Sequence, residues 1–458
     1  MTPIIILSLL AILLLYIGLG KSKAALLPVT AIGLAAALGS LFYEWNNNPA
    51  PVYSGMMWFD HYAVAFSAIT IFTTLLILLL TKSYFESISR NVAEYYTLIL
   101  FSLTGILVMV SFQNLTMLFV GIEIMSVCLY ILAGIRKADF SSNEASLKYF
   151  LMGAFSTGFL LFGIALLYGA TGSFSLDVIK KYVLDHNEID PLMYTGIALI
   201  IVGMSFKVGA APFHFWTPDV YEGSPALITA FMSTVVKTAG FAAFLRLFMI
   251  CFGPLGDFWM PVLMVISILT LFIGNITALF QTSFKRMMAY SSISHAGYML
   301  FAILSLGAQS QVAVFVYAAA YSVASVVAFA VLLMVKKATG SDTFESFNGL
   351  GKSNPFMAFC LTVAMLSLAG IPLTAGFVGK FFMFSVALKQ YHVLLVVLAV
   401  VNAIISIYYY FRVIVAMYFN DQQRQAIAMP QLYSIVLGVA AVITLLAGIY
   451  PSVFTRFF

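Results

Sequence analysis

The chain has 458 residues, of which 62% are hydrophobic and 9% are charged, and its formal net charge is +5. Soluble globular domains are typically about 45–50% apolar and about 25% charged, so most of this surface is expected to face lipid. The basic residues lie in short loops, which argues against nucleic acid as a partner and is typical of membrane topology signals.

The hydrophobic runs predict an all-α polytopic membrane protein. A bilayer core takes about 20 apolar residues per helix, and the first run lacks the basic start and small-residue cleavage site of a secretory signal. In chain order we predict about fourteen transmembrane helices, at 2–20, 24–43, 62–81, 94–111, 115–134, 144–169, 193–216, 225–252, 259–280, 287–307, 311–336, 355–386, 391–419 and 430–456.

Loop charges predict the orientation of these spans. Lysines and arginines concentrate in loops after odd-numbered spans, and the opposite loops hold only Lys180, Lys181, Lys389 and Arg456. Because positive residues accumulate on the cytoplasmic side, both termini are predicted to face away from the cytoplasm.

The polar stretches, about 44–60, 172–192, 338–354 and 420–429, are interpreted as loops. None contains a nucleotide-binding glycine fingerprint, a phosphate-binding loop or paired haem-ligand histidines. The cysteines Cys128, Cys251 and Cys360 lie in apolar runs without Cys-x-x-Cys spacing. We therefore expect no cofactor and no metal in this chain.

Ionisable side chains fall inside the predicted spans, where each costs a few kcal/mol at mid-membrane depth. Such residues persist only with partners, water or a function. They are Glu123 in span 5, Lys148 about a turn into span 6, Lys207 in span 7, Lys237 in span 8, His295 early in span 10 and Lys380 in span 12.

Static ion pairing is one explanation of this set, because Glu123 could neutralise a single lysine. The four lysines outnumber the carboxylates, however, since the only other carboxylate near these positions is Glu144, at the start of span 6. Burial disfavours a charged amine and a neighbouring carboxylate favours it, so a lysine between these influences can load and release a proton. We therefore predict proton transfer through the set. Lys148 could instead extend its amine to the membrane surface, and His295 could be a satisfied core histidine.

Two spans contain a proline beside glycines. Pro212 lies in GAAPFH at 209–214, and Pro372 lies in AGIPLTAG at 369–376. Proline removes a backbone donor and clashes with the preceding turn, and helices broken beside charged residues are typical of ion-transport sites. We predict that helices 7 and 12 are discontinuous; a plain proline kink is the alternative.

The two breaks suggest an internal duplication. Pro212 pairs with Pro372 at an offset of 160, and Arg246 pairs with Arg412 at 166. Helices 4–8 and 9–13 are then two five-helix repeats, and an odd helix number requires the second to be inverted. The predicted organisation is an N-terminal three-helix segment at 1–90, repeats at 91–252 and 253–419, and a C-terminal helix at 420–458.

The sequence around the first break resembles a known family. The run FKVGAAPFHFWTPDVYEGSP at 206–225 is similar to the antiporter-like subunits of respiratory complex I, in particular to their subunit N branch. The runs KRMMAYSSISH at 285–295, GIPLTAGF at 370–377 and YYYFR at 408–412 extend the likeness over essentially the whole chain. The resemblance implies fourteen helices, two inverted repeats, and proton-transferring side chains at Glu123, Lys207, Lys237 and Lys380.

The resemblance also implies an assembly. The chain would be a proton-translocating subunit of a NADH:quinone oxidoreductase in a bacterial inner membrane, beside subunits M and K. NAD, FMN, iron–sulfur clusters and quinone would belong to partner subunits. The lysine at 380 favours the N branch over subunit M, because sequences that look like subunit M have a glutamate at the matching position. The alternatives are a subunit of a multi-subunit cation/proton antiporter and a passive scaffold.

A mechanism follows as a hypothesis. An electrostatic change that arrives from the partner subunits would alter the pairing of Glu123 with Lys207. Lys207 keeps its proton while paired, and desolvation drives the proton off when the two separate. The proton would then move through Lys237 towards His295 and Lys380.

Overall fold

The computed structural model describes residues 1–20, 23–47, 50–81, 84–85, 92–186, 188–390, 392–420 and 425–452; Arg456 lies outside this part. Within it, eleven helices are long and apolar enough to cross a membrane, and two shorter apolar helices span Thr2–Gly18 and Pro355–Ala369. The protein is therefore a polytopic, predominantly helical membrane protein.

Polar caps fix the starts of several helices in the first part of the chain. Asp60, Asn114 and Asp190 each accept a backbone N–H in the first turn that follows. The helices are α1 Thr2–Gly18, α2 Leu26–Asn47, α3 His61–Leu79, α4 Val92–Val110, α5 Leu115–Ala133, α6 Phe140–Thr171, α7 Leu176–Asp185 and α8 Pro191–Val208. The prediction of a loop at 172–192 was wrong for α7, which buries Leu176, Ile179 and Val183 at helical spacing.

The second part begins after the first break and contains the less regular helices. A π-helical turn, Met232–Val236, directly precedes Lys237. The elements are α9 Trp216–Gly223, α10 Ala226–Phe231, α11 Lys237–Leu247, a π-helical turn Phe248–Phe252, a 3₁₀ turn Gly253–Leu255, α12 Gly256–Leu279, α13 Phe284–Leu304, α14 Ala308–Thr339, a 3₁₀ turn Phe344–Phe347, α15 Leu350–Ser353, α16 Pro355–Ala369, α17 Ala375–Lys389, α18 Val393–Phe419 and α19 Gln431–Ile449.

Helix α14 is the centre of the bundle. The most apolar 18-residue stretch of α14 is 100% buried, and that of α13 is 94% buried. In contrast, the corresponding stretches of α2, α6, α18 and α19 are less than half buried. Polar groups on α13 and α14 are therefore shielded from lipid, and both helices contribute to the site described below.

Two turns with the same backbone hydrogen-bond pattern each connect the end of a long helix to the start of another helix. After α6, Leu115 donates its N–H to the Phe174 carbonyl, and Leu176 donates to the Gln113 carbonyl. After α14, Phe284 donates to the Asp342 carbonyl, and Phe344 donates to the Thr282 carbonyl. Each long helix, of 32 residues, ends in a Thr-Gly-Ser sequence whose glycine has a positive φ, because the helix reverses there.

Candidate functional site

Glu123 on α5 and Lys207 on α8 form no ion pair among the described residues. The Lys207 amine donates to Ser126 Oγ at 3.0 Å and to Thr157 Oγ1 at 3.3 Å. Glu123 Oε1 is buried and has no hydrogen-bond partner among the described residues, although the two charges are close enough to interact. The predicted pair is thus assembled in a separated arrangement, with the lysine held by hydroxyls.

The first break places Lys207 at the end of a helix. Gly209, with φ +72°, ends α8, and the Ala211 N–H donates to Thr270 Oγ1 on α12 at 2.9 Å. The Ala211–Pro212 peptide is cis. Buried polar atoms without a protein partner cluster here, and such atoms are ordinarily satisfied by water. Among the described residues that flank the break they are Ser205 Oγ, His214 Nδ1 and Thr217 Oγ1.

Lys237 is buried in the middle of the protein, with 3% of its surface exposed. Its amine donates to the Ser292 carbonyl at 2.5 Å and to Ser292 Oγ at 2.6 Å. The Ser292 hydroxyl also lies beside the phenol groups of Tyr221 and Tyr321. The structure therefore provides neutral oxygen acceptors for this amine, and these can bind an ammonium or accept a hydrogen bond from a neutral amine.

His295 is held between two tyrosines. Its Nδ1 lies 2.7 Å from Tyr317 Oη, and its Nε2 lies 3.0 Å from Tyr410 Oη. The Tyr410 hydroxyl also hydrogen-bonds Ser291 Oγ. A cavity of about 10 Å³ beside the ring is lined partly by Tyr321 and Ser367, and a volume of this order holds about one water molecule.

Lys380 lies at the second break. Helix α16 ends at Gly370, whose φ is +84°, and the Lys380 amine donates to the Ala369 carbonyl at 2.7 Å. A Cβ on Gly370 would lie 2.7 Å from Lys380 Cδ, so only glycine leaves room for the lysine to reach back. The amine also lies 5.1 Å from the Tyr298 ring centroid, a cation–π geometry. A cation at Lys380 is thus stabilised by the carbonyl at the C-terminus of α16.

Lys237, His295 and Lys380 form one buried series. The charges of Lys237 and Lys380 both act on His295, and Lys237 and His295 are joined through α13, which carries Ser292 and His295 one turn apart. Sequence reasoning identified the charged members. It missed the tyrosines and serines that link them, including Tyr317, because hydroxyl residues are common in apolar helices and carry no distinctive spacing.

Lys148 lies apart from the buried series, at a surface depression of about 420 Å³ that we name the charged vestibule. Its amine forms ion pairs with Glu144 at 2.8 Å and Asp219 at 2.7 Å. Asp219 also pairs with Arg286 at 3.4 Å. The charged side chains that line the vestibule are Arg136, Asp139, Glu144, Lys148, Asp219, Glu222, Lys285, Arg286, Lys336 and Asp342.

The vestibule favours the ionised form of the Asp342 carboxylate. Burial alone would raise the pKa of Asp342, but its hydrogen bond to Lys336 and the charges of Lys336 and Lys285 hold that pKa below its usual value. The Lys336–Asp342 pair measures 2.7 Å. Sequence reasoning counted Lys285 only as a loop charge, whereas the structure buries it at the start of α13.

No group of three or more His, Cys, Asp or Glu side chains within the described ranges is arranged to hold a metal ion.

A bundle with buried amines beside two interrupted helices is of the ion-translocating class of membrane proteins. Residues 112–406 match the family described as NADH:quinone oxidoreductase/Mrp antiporter, TM, and the chain belongs to this family. A protein of Cytophaga hutchinsonii called NADH-quinone oxidoreductase subunit N is 43% identical over 99% of this chain and 98% of its own length.

Solved structures agree with this assignment. A chain of respiratory complex I from Thermus thermophilus with bound Aureothin superimposes with a TM-score of 0.86 at 34% identity, over 99% of this chain and 98% of its own. A chain of the Mrp complex from Dietzia sp. DQ12-45-1b gives a TM-score of 0.83 at 19% identity, over 100% of this chain and 94% of its own. The second likeness concerns the fold alone.

Proposed function

We propose that the chain translocates protons as an antiporter-like membrane subunit of NADH:quinone oxidoreductase. It is 43% identical over nearly its full length to a protein named as subunit N of that enzyme. NADH oxidation and quinone reduction would take place in partner subunits, with NAD, FMN, iron–sulfur clusters and quinone bound there. This chain would supply the path for protons that the redox reaction drives.

The observation that carries the proposal is the separated arrangement of Glu123 and Lys207. Glu123 and Ser126 lie three residues apart on α5, so they are neighbours on one helix face about 4.5 Å apart along the axis. A long lysine side chain can cover that distance by changing rotamer. Lys207 can therefore exchange its hydroxyl partners for the unpaired carboxylate without helix movement.

Exchange of partners changes the stability of the lysine's proton. Pairing with Glu123 favours the ammonium, and hydroxyl partners in a buried site favour it less. Lys207 loads a proton in the first arrangement and releases it in the second. The polar atoms without protein partners at the first break would hold the water through which the proton leaves.

The buried series then conducts the proton onward. Lys237 receives the proton on its amine. His295 then accepts a proton at one ring nitrogen and releases one from the other, with Tyr317 and Tyr410 as the hydrogen-bond partners of these nitrogens. Lys380, at the second break, is the last amine before exit. Lys148 would act at the membrane surface, where its ion pairs with Glu144 and Asp219 place it.

Fourteen spans are consistent with the helix lengths. The continuous helical run Ala226–Leu279 has 54 residues, and at about 1.5 Å per residue it is more than twice the thickness of a bilayer core. We infer that it crosses twice and turns at the 3₁₀ turn Gly253–Leu255. Counting α1 and the broken pair α16–α17 as one span each completes fourteen.

The two Thr-Gly-Ser turns support an inverted repeat. The hydrogen bonds at Leu115 and Leu176 match those at Phe284 and Phe344 one for one. With both termini outside the cytoplasm, the first turn lies on the non-cytoplasmic side and the second on the cytoplasmic side, as inversion requires. We propose boundaries at 91–252 and 253–419, flanked by 1–90 and 420–458.

We further propose a bacterial inner-membrane location with subunits M and K as neighbours, since complex I contains several membrane subunits of this kind. The chain's relatives and its complex I structural match support a place among the membrane subunits of that enzyme.

The test is proton pumping by the whole enzyme reconstituted into vesicles, with Lys207→Ala or Glu123→Ala in this chain. We expect either change to lower the number of protons pumped per electron while the complex still assembles. Lys181→Ala, which removes an exposed lysine of α7, is the control for general loss of charge. Unchanged pumping with normal assembly would reject the proposal and favour a passive scaffold.

A further inference from the structure

One lysine that lines the charged vestibule, Lys285, is buried. Lys148 and Arg286 are 41% and 32% exposed at their side chains, whereas Lys285 is only 3% exposed. The Lys285 amine donates to the Glu222 carbonyl at 2.8 Å and to the Ser224 carbonyl at 2.5 Å. No carboxylate forms an ion pair with it in the described part of the chain, so this amine can lose a proton without abandoning a charged partner.

Hydroxyl groups continue inward from Lys285. Ser224 Oγ is buried and has no hydrogen-bond partner within the described residues, although the carbonyl of the same residue accepts from Lys285. Tyr221, three residues earlier, is 1% exposed and places its phenol beside the Ser292 hydroxyl. Ser292 in turn accepts from Lys237. Ser224, which accepts from Lys285, and Tyr221, whose phenol lies beside Ser292, are thus three residues apart in the chain.

The distance suits a short hydrogen-bonded chain. Lys285 and Ser292 are seven residues apart on α13, which places them two turns apart on one face and about 10 Å apart along the axis. Donor and acceptor oxygens in such chains lie about 2.7–2.8 Å apart. Three or four groups are enough to cover that span.

We propose that the charged vestibule is a proton-uptake site and that Lys285 is its inner gate, passing protons through Ser224 and Tyr221 to Lys237. This inference rests on the proposed function, since it needs Lys237 to receive protons. A neutral Lys285 amine takes a proton from water in the vestibule and becomes an ammonium. It then gives one proton to the hydroxyl chain, each hydroxyl accepts one proton as it donates another, and the neutral Lys237 amine receives the last. No electron moves.

The alternative role of Lys285 is structural, because a lysine that donates to the last carbonyls of a helix stabilises that helix end. The two roles separate under substitution by arginine. Arginine can donate to the same two carbonyls, but it does not release a proton in proteins. A structural role tolerates Lys285→Arg, and a gate does not.

The experiment measures proton pumping per electron and NADH:quinone turnover of the intact enzyme in vesicles. Lys285→Arg and Tyr221→Phe are the two test variants, and Lys337→Met, an exposed lysine at the end of α14, is the control. Positioned proton-transfer groups are typically worth about 10²–10⁴-fold in rate, so we expect pumping to fall at least about tenfold in both test variants. Assembly should match that of the native enzyme.

The outcomes separate this inference from the proposed function when Lys237→Met is measured in parallel. Loss of pumping in Lys237→Met together with native pumping in Tyr221→Phe overturns the uptake route alone. Native pumping in Lys285→Arg likewise assigns Lys285 a purely structural role. Native pumping in all three overturns the proton-translocating function itself. If Lys285→Arg prevents assembly, Tyr221→Phe still tests the uptake route, because it removes only one oxygen.

Discussion

Removal of the Ser126 hydroxyl should trap Lys207 on Glu123. In the present arrangement the Lys207 amine is held by Ser126 at 3.0 Å and by Thr157 at 3.3 Å. Hydrogen bonds to charged groups contribute about 1.5–3 kcal/mol each. Taking about 2 kcal/mol for the shorter bond, Ser126→Ala shifts the balance between the two arrangements by about 30-fold, at 1.4 kcal/mol per factor of ten.

The shift should slow proton release and leave assembly intact. With Glu123 as the preferred partner, Lys207 keeps its proton for longer in each cycle, so pumping falls while the complex still assembles. Thr157→Val keeps the side-chain shape and removes the longer bond, so its effect should be smaller. Because both hydroxyls hold one amine, the double variant need not show the sum of the two effects.

The assay is proton pumping per electron in vesicles, measured against Ser156→Ala. Ser156 neighbours Thr157 on α6, and its buried hydroxyl has no partner among the described residues, so its loss should leave pumping native. Native pumping in the Ser126→Ala, Thr157→Val double variant would refute the exchange of partners, because no hydroxyl would then compete with the carboxylate.

Two further substitutions test the supports of the site. Gly370→Ala places a Cβ on a residue with φ +84° and 2.7 Å from Lys380 Cδ. The backbone strain costs about 1–2 kcal/mol, so both the melting temperature and proton pumping should fall. The control is Gly39→Ala, where a Cβ meets nothing within 4 Å. Arg246→Met removes a 2% exposed guanidinium that binds Asp60 at 3.0 Å and should destabilise the protein by about 3–5 kcal/mol. Adding Asp60→Asn should recover part of that loss, and equal melting temperatures of single and double variants would contradict the ion-pair explanation.

Composition and the lengths of the apolar runs were sufficient for the class of protein, and the count of fourteen spans stays a prediction. The polytopic helical prediction is confirmed, since hydrophobic length alone decides whether a segment can cross a bilayer. The two helix ends at Val208 and Ala369 were also foreseen in position, because proline beside glycine cannot continue a helix.

Side-chain partners could not be predicted from the sequence. Lys207 binds hydroxyls on α5 and α6, and Lys285 is buried against the end of α9; both depend on how helices far apart in sequence pack. The internal repeat stays a prediction. Besides the offsets of 160 and 166, TGSFSL at 171–176 resembles TGSDTF at 339–344 at an offset of 168.

The burial of α14 has a consequence for how the protein is made. The helix is long and apolar enough to cross a bilayer, yet its most apolar stretch is 100% buried among protein neighbours in the finished bundle. The helix must therefore exchange acyl chains for protein neighbours after it enters the membrane. Brominated lipids should quench a fluorophore on α14 only in assembly intermediates, whereas a probe on the exposed face of α18 should stay quenched throughout.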